Sequence, residues 1–374
     1  MVKHSEVFVG IDVAKLKNAI AIAEFGRDGE VRYFGEVDAS EASMRSFIKR
    51  LEAKHDVIRI CYEAGPTGYG LHRLVTEMGH ECVVVAPSLI PKKAGDRIKT
   101  NRRDALSLAR LFRAGELTPV WIPDTKHEAM RALVRARAAA VKDASVKKRQ
   151  VGAFLLRHHR IFPRLKSWGA RYRRWIHDQT FEEMADQIVW QEALEAVRVG
   201  EARVVRLETS IRHMLDGWAL SPAVVALQAV RGIDLVTAVS LVVEIGDFHR
   251  FETAGQLMGY LGLVPGERST GEAVRRGAIT KMGNGRLRQL LVEAAWTYRH
   301  PPRIGRMKAP LVSAAPEAVQ EIALKAQTRL CARYRKLAAR GKKSTVICTA
   351  IARELTGFVW AIGRAAMPPP VIAA

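Results

Sequence analysis

The chain has 374 residues, too many for one ordinary core and enough for two or three domains, and 48% of them are hydrophobic. Its 60 Lys and Arg against 38 Asp and Glu leave a formal net charge of +22, which suits a polyanion that releases condensed counterions on binding and ill suits a small anionic nucleotide as main partner. Four scattered cysteines, Cys61, Cys82, Cys331 and Cys348, argue against a disulfide framework or a zinc site and read as reduced core thiols; a polar start and no apolar run near eighteen residues argue against export or a membrane span, so a cytoplasmic protein is expected.

The chain opens with three short strands joined by tight turns, Val7 to Asp12, Ala19 to Phe25 and Val31 to Phe34, which predict an antiparallel meander. A helix follows over Glu41 to Lys54, with Met44, Phe47, Ile48 and Leu51 at helical spacing and Ser40 placed to cap it. Val57 to Tyr62 reads as a buried strand, Tyr69 to Met78 as a helix and Cys82 to Val85 as another strand. A meander followed by alternating helices and strands is the ribonuclease-H-like order. It sets Asp12 and Glu63 at the ends of adjacent strands.

The next helix opens at Asn101 and Asp104, three apart and so on one face, and stops at Gly115 and Pro119. Alone, Asp104 reads as a helix cap and Asp12 as a strand-end residue; together, Asp12, Glu63, Asn101 and Asp104 are hard oxygen donors suited to Mg²⁺ or Mn²⁺ against a phosphodiester. Asn101 is either an uncharged ligand or a cap for the Asp104 helix, leaving three acids.

From Arg131 to Arg174 cations dominate, Lys147, Lys148 and Arg149 among them, with Asp143 as the lone acid. This predicts long helices with a broad basic face, or a solvated linker, with Trp168, Tyr172 and Trp175 available to stack on bases. Phe181 to Leu215 has mixed charge and reads as an antiparallel or coiled-coil assembly helix, or as a buried bundle helix. Leu227 to Asp234 leading into Leu235 to Ile245 resembles a helix-hairpin-helix whose turn amides face a DNA phosphate. In the following Phe251 to Gly262, Leu257, Tyr260 and Leu261 read as core.

Ser269 and Thr270 then sit in a glycine-bounded loop among Arg268, Arg275, Arg276, Lys281, Arg286 and Arg288. A serine among cations suits phosphoryl transfer, because the cations offset charge building on the phosphate; the same loop also suits simple phosphate gripping. Arg303 to Arg364 reads as helices with Arg329 and Arg333 on a basic face, and the Pro368-Pro369-Pro370 tail as disordered.

The blocks Val9 to Lys15, Tyr62 to Gly68, Lys99 to Ala105, the serine block through Trp296, and Ala323 to Gln327 with Trp360 to Ile362 together resemble the DEDD transposases of the IS110 (Piv/MooV-type) insertion sequences across nearly the whole chain. That resemblance implies a RuvC-like metal-binding domain over 1–125, a basic helical and coiled-coil region over 126–218, a transposase domain over 219–300, C-terminal helices over 301–366 and a tail over 367–374. It implies recombination of donor and target duplex DNA through a phosphoserine link at Ser269, with Mg²⁺ or Mn²⁺ at Asp12, Glu63 and Asp104. It further implies a structured bridge RNA as guide, a homo-oligomer such as a dimer of dimers, and a place beside the bacterial nucleoid. Asn101 stands where the family commonly carries its third acid. Three rivals are a RuvC-like structure-specific endonuclease using metal-activated water, a non-enzymatic guide-RNA binder, and a sugar-kinase or actin-like ATPase, for which no second half with a glycine-rich phosphate loop is found.

Overall fold

A computed structural model describes residues 5–91, 100–163, 168–270 and 273–367. Lys99 and the proline tail, both named in the sequence reading, lie outside the described residues, as do Arg164 and Lys166 of the basic run and Gly271 beside Thr270. The chain forms two compact units, Met1–Ile122 and Pro123–Ala374.

The first unit is built on a five-stranded sheet in the order β3-β2-β1-β4-β5. Strands β1 (Glu6–Asp12), β2 (Lys17–Glu24) and β3 (Val31–Asp38) form the antiparallel meander, and β4 (Val57–Glu63) and β5 (Glu81–Val85) add in parallel beside β1. β3 continues four residues past the expected Phe34. Its apolar run breaks at Gly35, but alternate positions still face inward, and a register shift opposite Ile20 and Ala21 absorbs the irregularity. The turn from β1 to β2 is tied by buried Asn18, whose Oδ1 accepts from the Ala14 amide at 3.1 Å.

Helices α1 (Glu41–Glu52) and α2 (Gly70–Glu77) cover one face of the sheet, α1 burying Met44, Phe47, Ile48 and Leu51. Ser40 holds the N-cap position of α1 without capping it: its hydroxyl bonds Ser43 Oγ at 3.0 Å and reaches no backbone amide. Helix α3 (Asn101–Arg113) covers the other face and ends where Gly115 turns the chain at φ +71°. Gly10 admits it: a Cβ there would stand 2.3 Å from the Ala109 nitrogen and 2.5 Å from the Ala105 oxygen, so only glycine lets the helix backbone lie this close to β1.

The second unit begins with two long helices, α4 (Thr125–Arg157) and α6 (Met184–Leu215), with α5 (Ala170–His177) between them. α4 and α6 run antiparallel: Arg137 meets Glu208, Ala144 meets Gly200 and Phe154 stacks on Trp190, one number rising as the other falls. The remaining elements are α7 (Ser221–Leu227), α8 (Leu235–Ile245), α9 (Ala254–Tyr260), the hairpin β6 (Pro265–Glu267) and β7 (Arg276–Ile279), α10 (Gly285–Ala295), α11 (Ala309–Ser313), α12 (Glu317–Ala339) and α13 (Ser344–Ala366). One core runs from Met130 and Val134 of α4 through α7, α8 and α10 to Ile362 of α13, so the segments read separately from 126 onward share one interior. Leu257 and Leu261 lie in that core as expected, whereas Tyr260 remains 39% exposed.

α13 corrects the reading that no segment has the make-up of a membrane span: by length and composition it is long and apolar enough, the only such helix among the described residues. Its Ile347, Ile351, Leu355 and Val359 are buried in the same core as α10 and α12. The four cysteines are free, with Cys61, Cys331 and Cys348 buried.

Candidate functional site

Strand register and helix direction together locate the acids. Gly10 and Cys61 are paired in register, and both face α3: Gly10 through its contact with Ala105 and Ala109, Cys61 through its thiol bond to the Leu108 carbonyl at 3.7 Å. Side chains alternate along a strand, so Asp12 and Glu63, two residues further on, face the same side. The direction of α3 follows from Arg113, whose guanidinium donates to the carbonyls of Glu24 at 3.0 Å and Gly29 at 2.6 Å, beside the start of β1 where the Phe25 amide bonds the Glu6 carbonyl. The opposite end of α3, with Asp104 in its first turn, therefore lies over the ends of β1 and β4. The lengths agree, since Leu108 back to Asp104 is about 6 Å of helix and Cys61 on to Glu63 about 6.6 Å of strand.

Asp12, Glu63 and Asp104, all partly exposed, thus occupy one corner of the sheet. Among the described residues, no three Asp, Glu, His or Cys side chains are drawn together into a group that could hold a metal ion. The corner is an open set of hard oxygens. That suits the ordinary Mg²⁺ mode, one or two carboxylates completed by water and substrate phosphate, better than a closed protein cage.

Asn101 does not cap α3. Thr100 does, its hydroxyl accepting from the Arg103 amide at 3.3 Å, and Asn101 is the exposed first residue of the helix. It sits four residues before buried Ala105, on the sheet-facing side beyond the strand ends.

Ser269 lies on the arm of an antiparallel hairpin rather than in an irregular loop. Glu267 pairs with Arg276, and beyond them the Arg268 amide bonds the Arg275 carbonyl at 2.9 Å and the Thr270 amide the Ala273 carbonyl at 3.2 Å. The Ser269 hydroxyl donates to Glu267 Oε1 at 2.8 Å, and Arg276 Nε meets Glu267 Oε2 at 3.3 Å. Hydrogen bonding from Ser269, then from Arg276, holds the Glu267 carboxyl below the usual carboxylate range. Sequence reading missed Glu267. The signal was the Glu-x-Ser spacing, which on a strand puts both side chains on one face.

The expected nucleic-acid contacts divide into two groups. Arg268, Arg275, Arg276, Lys281, Lys147 and Arg149 are exposed. Arg286 and Arg288 serve their own chain: Arg286 is half-buried and donates to the Val134 carbonyl at 3.3 Å, and Arg288 donates to the carbonyls of Leu261, at 3.0 Å, and Met282. Burial holds the Arg286 guanidinium below its ordinary pKa. Lys148 pairs with Glu201 at 2.7 Å.

The broad basic face is likewise narrower than its sequence. Arg135 forms a two-pronged pair with Glu244 at 2.7 and 2.8 Å, Arg137 pairs with Glu208, and Arg173 with Glu201. Burial pushes the Glu244 carboxyl up, but Arg135, with Arg131 and Arg286 near, outweighs it and the net shift is downward. Asn284, which caps α10, also donates to Glu244 at 3.1 Å. Trp168, Tyr172 and Trp175, read as base-stacking platforms, instead join Val151, Phe154 and Trp190 in a local cluster, because three large rings gain more from mutual burial than from water. At the α7–α8 turn, Gly232 at φ +82° does not point outward: a Cβ there would meet the Ala294 carbonyl at 2.7 Å and Thr297 Oγ1 at 2.9 Å. The described side of that turn is covered by α10, and Asp234 caps α8 through the Thr237 amide at 2.7 Å.

Comparison with known proteins assigns the class. Residues 9–160 match a DEDD-type family described as transposase, and residues 225–308 match the family described as Transposase IS116/IS110/IS902. The chain is an enzyme of DNA transposition. It is 60% identical to "Putative transposase y4qE" of Sinorhizobium fredii over 97% of this chain and 90% of that protein. It is also 30% identical to the transposase for insertion sequence element IS1533 of Leptospira borgpetersenii, over 90% of this chain and 98% of the relative. The protein belongs to the IS110/IS116 family of insertion-sequence transposases, and DNA is its partner.

Proposed function

We propose that this transposase cuts and rejoins DNA through a phosphoserine intermediate at Ser269, with Asp12, Glu63 and Asp104 of a different subunit supplying a RuvC-like second half of the site. The observation that carries the reading is the Ser269 hydroxyl donating to a carboxylate at 2.8 Å on a hairpin flanked by exposed Arg268 and Arg275. Ser269 Oγ attacks phosphorus; the new bond is Oγ–P, the broken bond is between phosphorus and a sugar oxygen, and the serine proton passes to Glu267. The departing sugar oxygen is protonated from solvent. Religation is the reverse, so no external energy source is needed. Arg268, Arg275 and Arg276 offset charge on the phosphate as it becomes five-coordinate.

A divalent cation, Mg²⁺ or Mn²⁺, bound at the acid corner would polarise phosphate oxygens. Asp12, Glu63 and Asp104 would hold it, and Asn101, uncharged and at the rim, adds at most a weak fourth ligand. Lys147 and Arg149 are free to meet nucleic-acid backbone. A structured guide RNA and a homo-oligomer, as a dimer of dimers, complete the proposal; the excess of positive charge supports the RNA, and the resemblance to the family implies both.

The test is a denaturing gel of wild-type protein with labelled target DNA and Mg²⁺. A covalent protein–DNA adduct is expected, absent in Ser269→Ala and in Asp12→Ala. An adduct that persists in Ser269→Ala removes the serine from its role, and free DNA ends without any adduct select the metal-activated-water nuclease. RNA copurified from the host and sequenced tests the guide, which fails if no specific RNA is enriched.

A further inference from the structure

A cavity of about 440 Å³ opens in the second unit between the end of α10 and the loop leading to α11. Its size is that of a small-molecule site. Trp296, half-buried, contributes an indole wall, and Arg299, His300 and Arg303, all exposed, stand around the mouth. No acid lines it. Two further cations at its edge are already engaged: Arg231 donates to the Pro301 carbonyl at 2.8 Å, and Lys308 Nζ donates to the carbonyls of Gln228 and Ile233.

Gln327 decides what the cavity is for. It lines the cavity from α12, it is only 7% exposed, and its carboxamide has no hydrogen-bond partner among the described residues. The carboxamide is not sealed off as an unsatisfied buried group; it opens into the cavity, where the polar edge of a ligand can take the place of solvent. A carboxamide offers one acceptor and one paired donor, the pattern that reads the polar edge of a nucleobase. An indole face beside it supplies stacking, and the Arg299 and Arg303 guanidiniums at the mouth supply charge for a phosphate, with the His300 ring held by a hydrogen bond from Arg299 Nε at 3.1 Å.

We propose that this cavity captures one unstacked nucleotide, with its base against Trp296, its polar edge on Gln327 and its phosphate at Arg299, His300 and Arg303. The site is separate from the serine hairpin, and the inference rests on the protein being a nucleic-acid enzyme but not on the phosphoserine step. A base turned out of a duplex or an unpaired RNA base presents the same chemistry, and both are met by the same three features.

The experiment titrates the full-length protein calorimetrically with 5′-AMP and, separately, with inorganic phosphate. AMP is expected to bind at one site per chain about tenfold or more tighter than phosphate, the gain expected for one stacked base. Gln327→Met, close in shape, should weaken AMP about fivefold or more and leave phosphate unchanged. Arg303→Ala, at an exposed position, should weaken both. Ser269→Ala should bind AMP as wild type does, so loss of the adduct and loss of the nucleotide site are separate results. AMP binding no tighter than phosphate, or unaltered in Gln327→Met, overturns the proposal. Matching single-stranded DNA and RNA oligonucleotides then show which source is preferred: whichever loses more affinity in Gln327→Met supplies the base.

Discussion

The acid corner and the serine hairpin place their side chains by opposite means. Asp12, Glu63 and Asp104 are set by a sheet and a helix packed through fully buried side chains, so their arrangement follows from the fold of the first unit. Ser269 rests on a two-stranded hairpin, exposed, oriented by one carboxylate that is itself held by one arginine. Damage to the first should show as lost stability before lost chemistry. Damage to the second should show as lost chemistry with the fold intact.

Gly10→Val gives the sharpest form of that contrast. A side chain driven to within 2.3 Å of the α3 backbone must push the helix off the sheet, at a cost of about 3 kcal/mol or more. Denaturant unfolding should report that loss in the first unit, together with loss of adduct formation, although no acid is touched. Unchanged stability would mean that α3 does not hold Asp104 by this contact.

Glu244→Ala comes next. Glu244 ties α4 to the Asn284 cap of α10 through Arg135, and its removal leaves half-buried Arg286 without a neutralising neighbour. A loss of about 2 kcal/mol is expected in the second unit. A change below about 0.5 kcal/mol would show that the network is screened by water.

Acid should act more gently on the α4–α6 pair. Hydrogen bonds from Arg173, then from Lys148, hold the Glu201 carboxyl down to about 2. Its stabilisation is present above the unfolded value near 4.3 and is lost as pH falls toward about 2, because the unfolded chain binds the proton first. After allowance for solvent screening the effect is about 1–2 kcal/mol. The loss of stability in urea between about pH 6 and about pH 3 should be larger in wild type than in Glu201→Gln by about half that amount, the rest being lost only below about pH 3.

Glu267→Gln should leave the melting temperature unchanged while slowing adduct formation about tenfold or more, since the hydroxyl keeps a hydrogen-bond partner but loses its proton acceptor. In wild type the acid limb of the adduct rate should fall below the ordinary glutamate range, as the depressed Glu267 carboxyl requires. A tenfold loss accompanied by a lowered melting temperature would assign Glu267 to the hairpin's structure instead.

Much of the first unit was legible because its signals are local and periodic. Strand ends at Asp12 and Glu63 and the helical spacing of Leu108 and Ala109 follow from pattern alone, and the sheet merely brings the strand ends into register. The second unit hid more, since its cations and rings are spent on one another. Nothing in the run from Arg131 to Arg174 announces that Arg135 will find Glu244, 109 residues away, or that Trp168 and Tyr172 will pack inward. Charge counts describe a segment; partners come from elsewhere in the chain. Glu267 was the opposite case, a neighbour two residues from Ser269, invisible only while the segment was taken for a loop.

The place of α13 has a consequence for synthesis. Residues 344–366 complete the core that supports α7, α8 and α10, so the elements flanking the serine hairpin wait for a helix translated well after them before they can pack. A ribosome that stops before α13, or a frameshift upstream of it, would release a chain whose serine hairpin has no platform. Loss of the coding sequence for α13 is therefore enough to silence such an element while the reading frame before it stays intact.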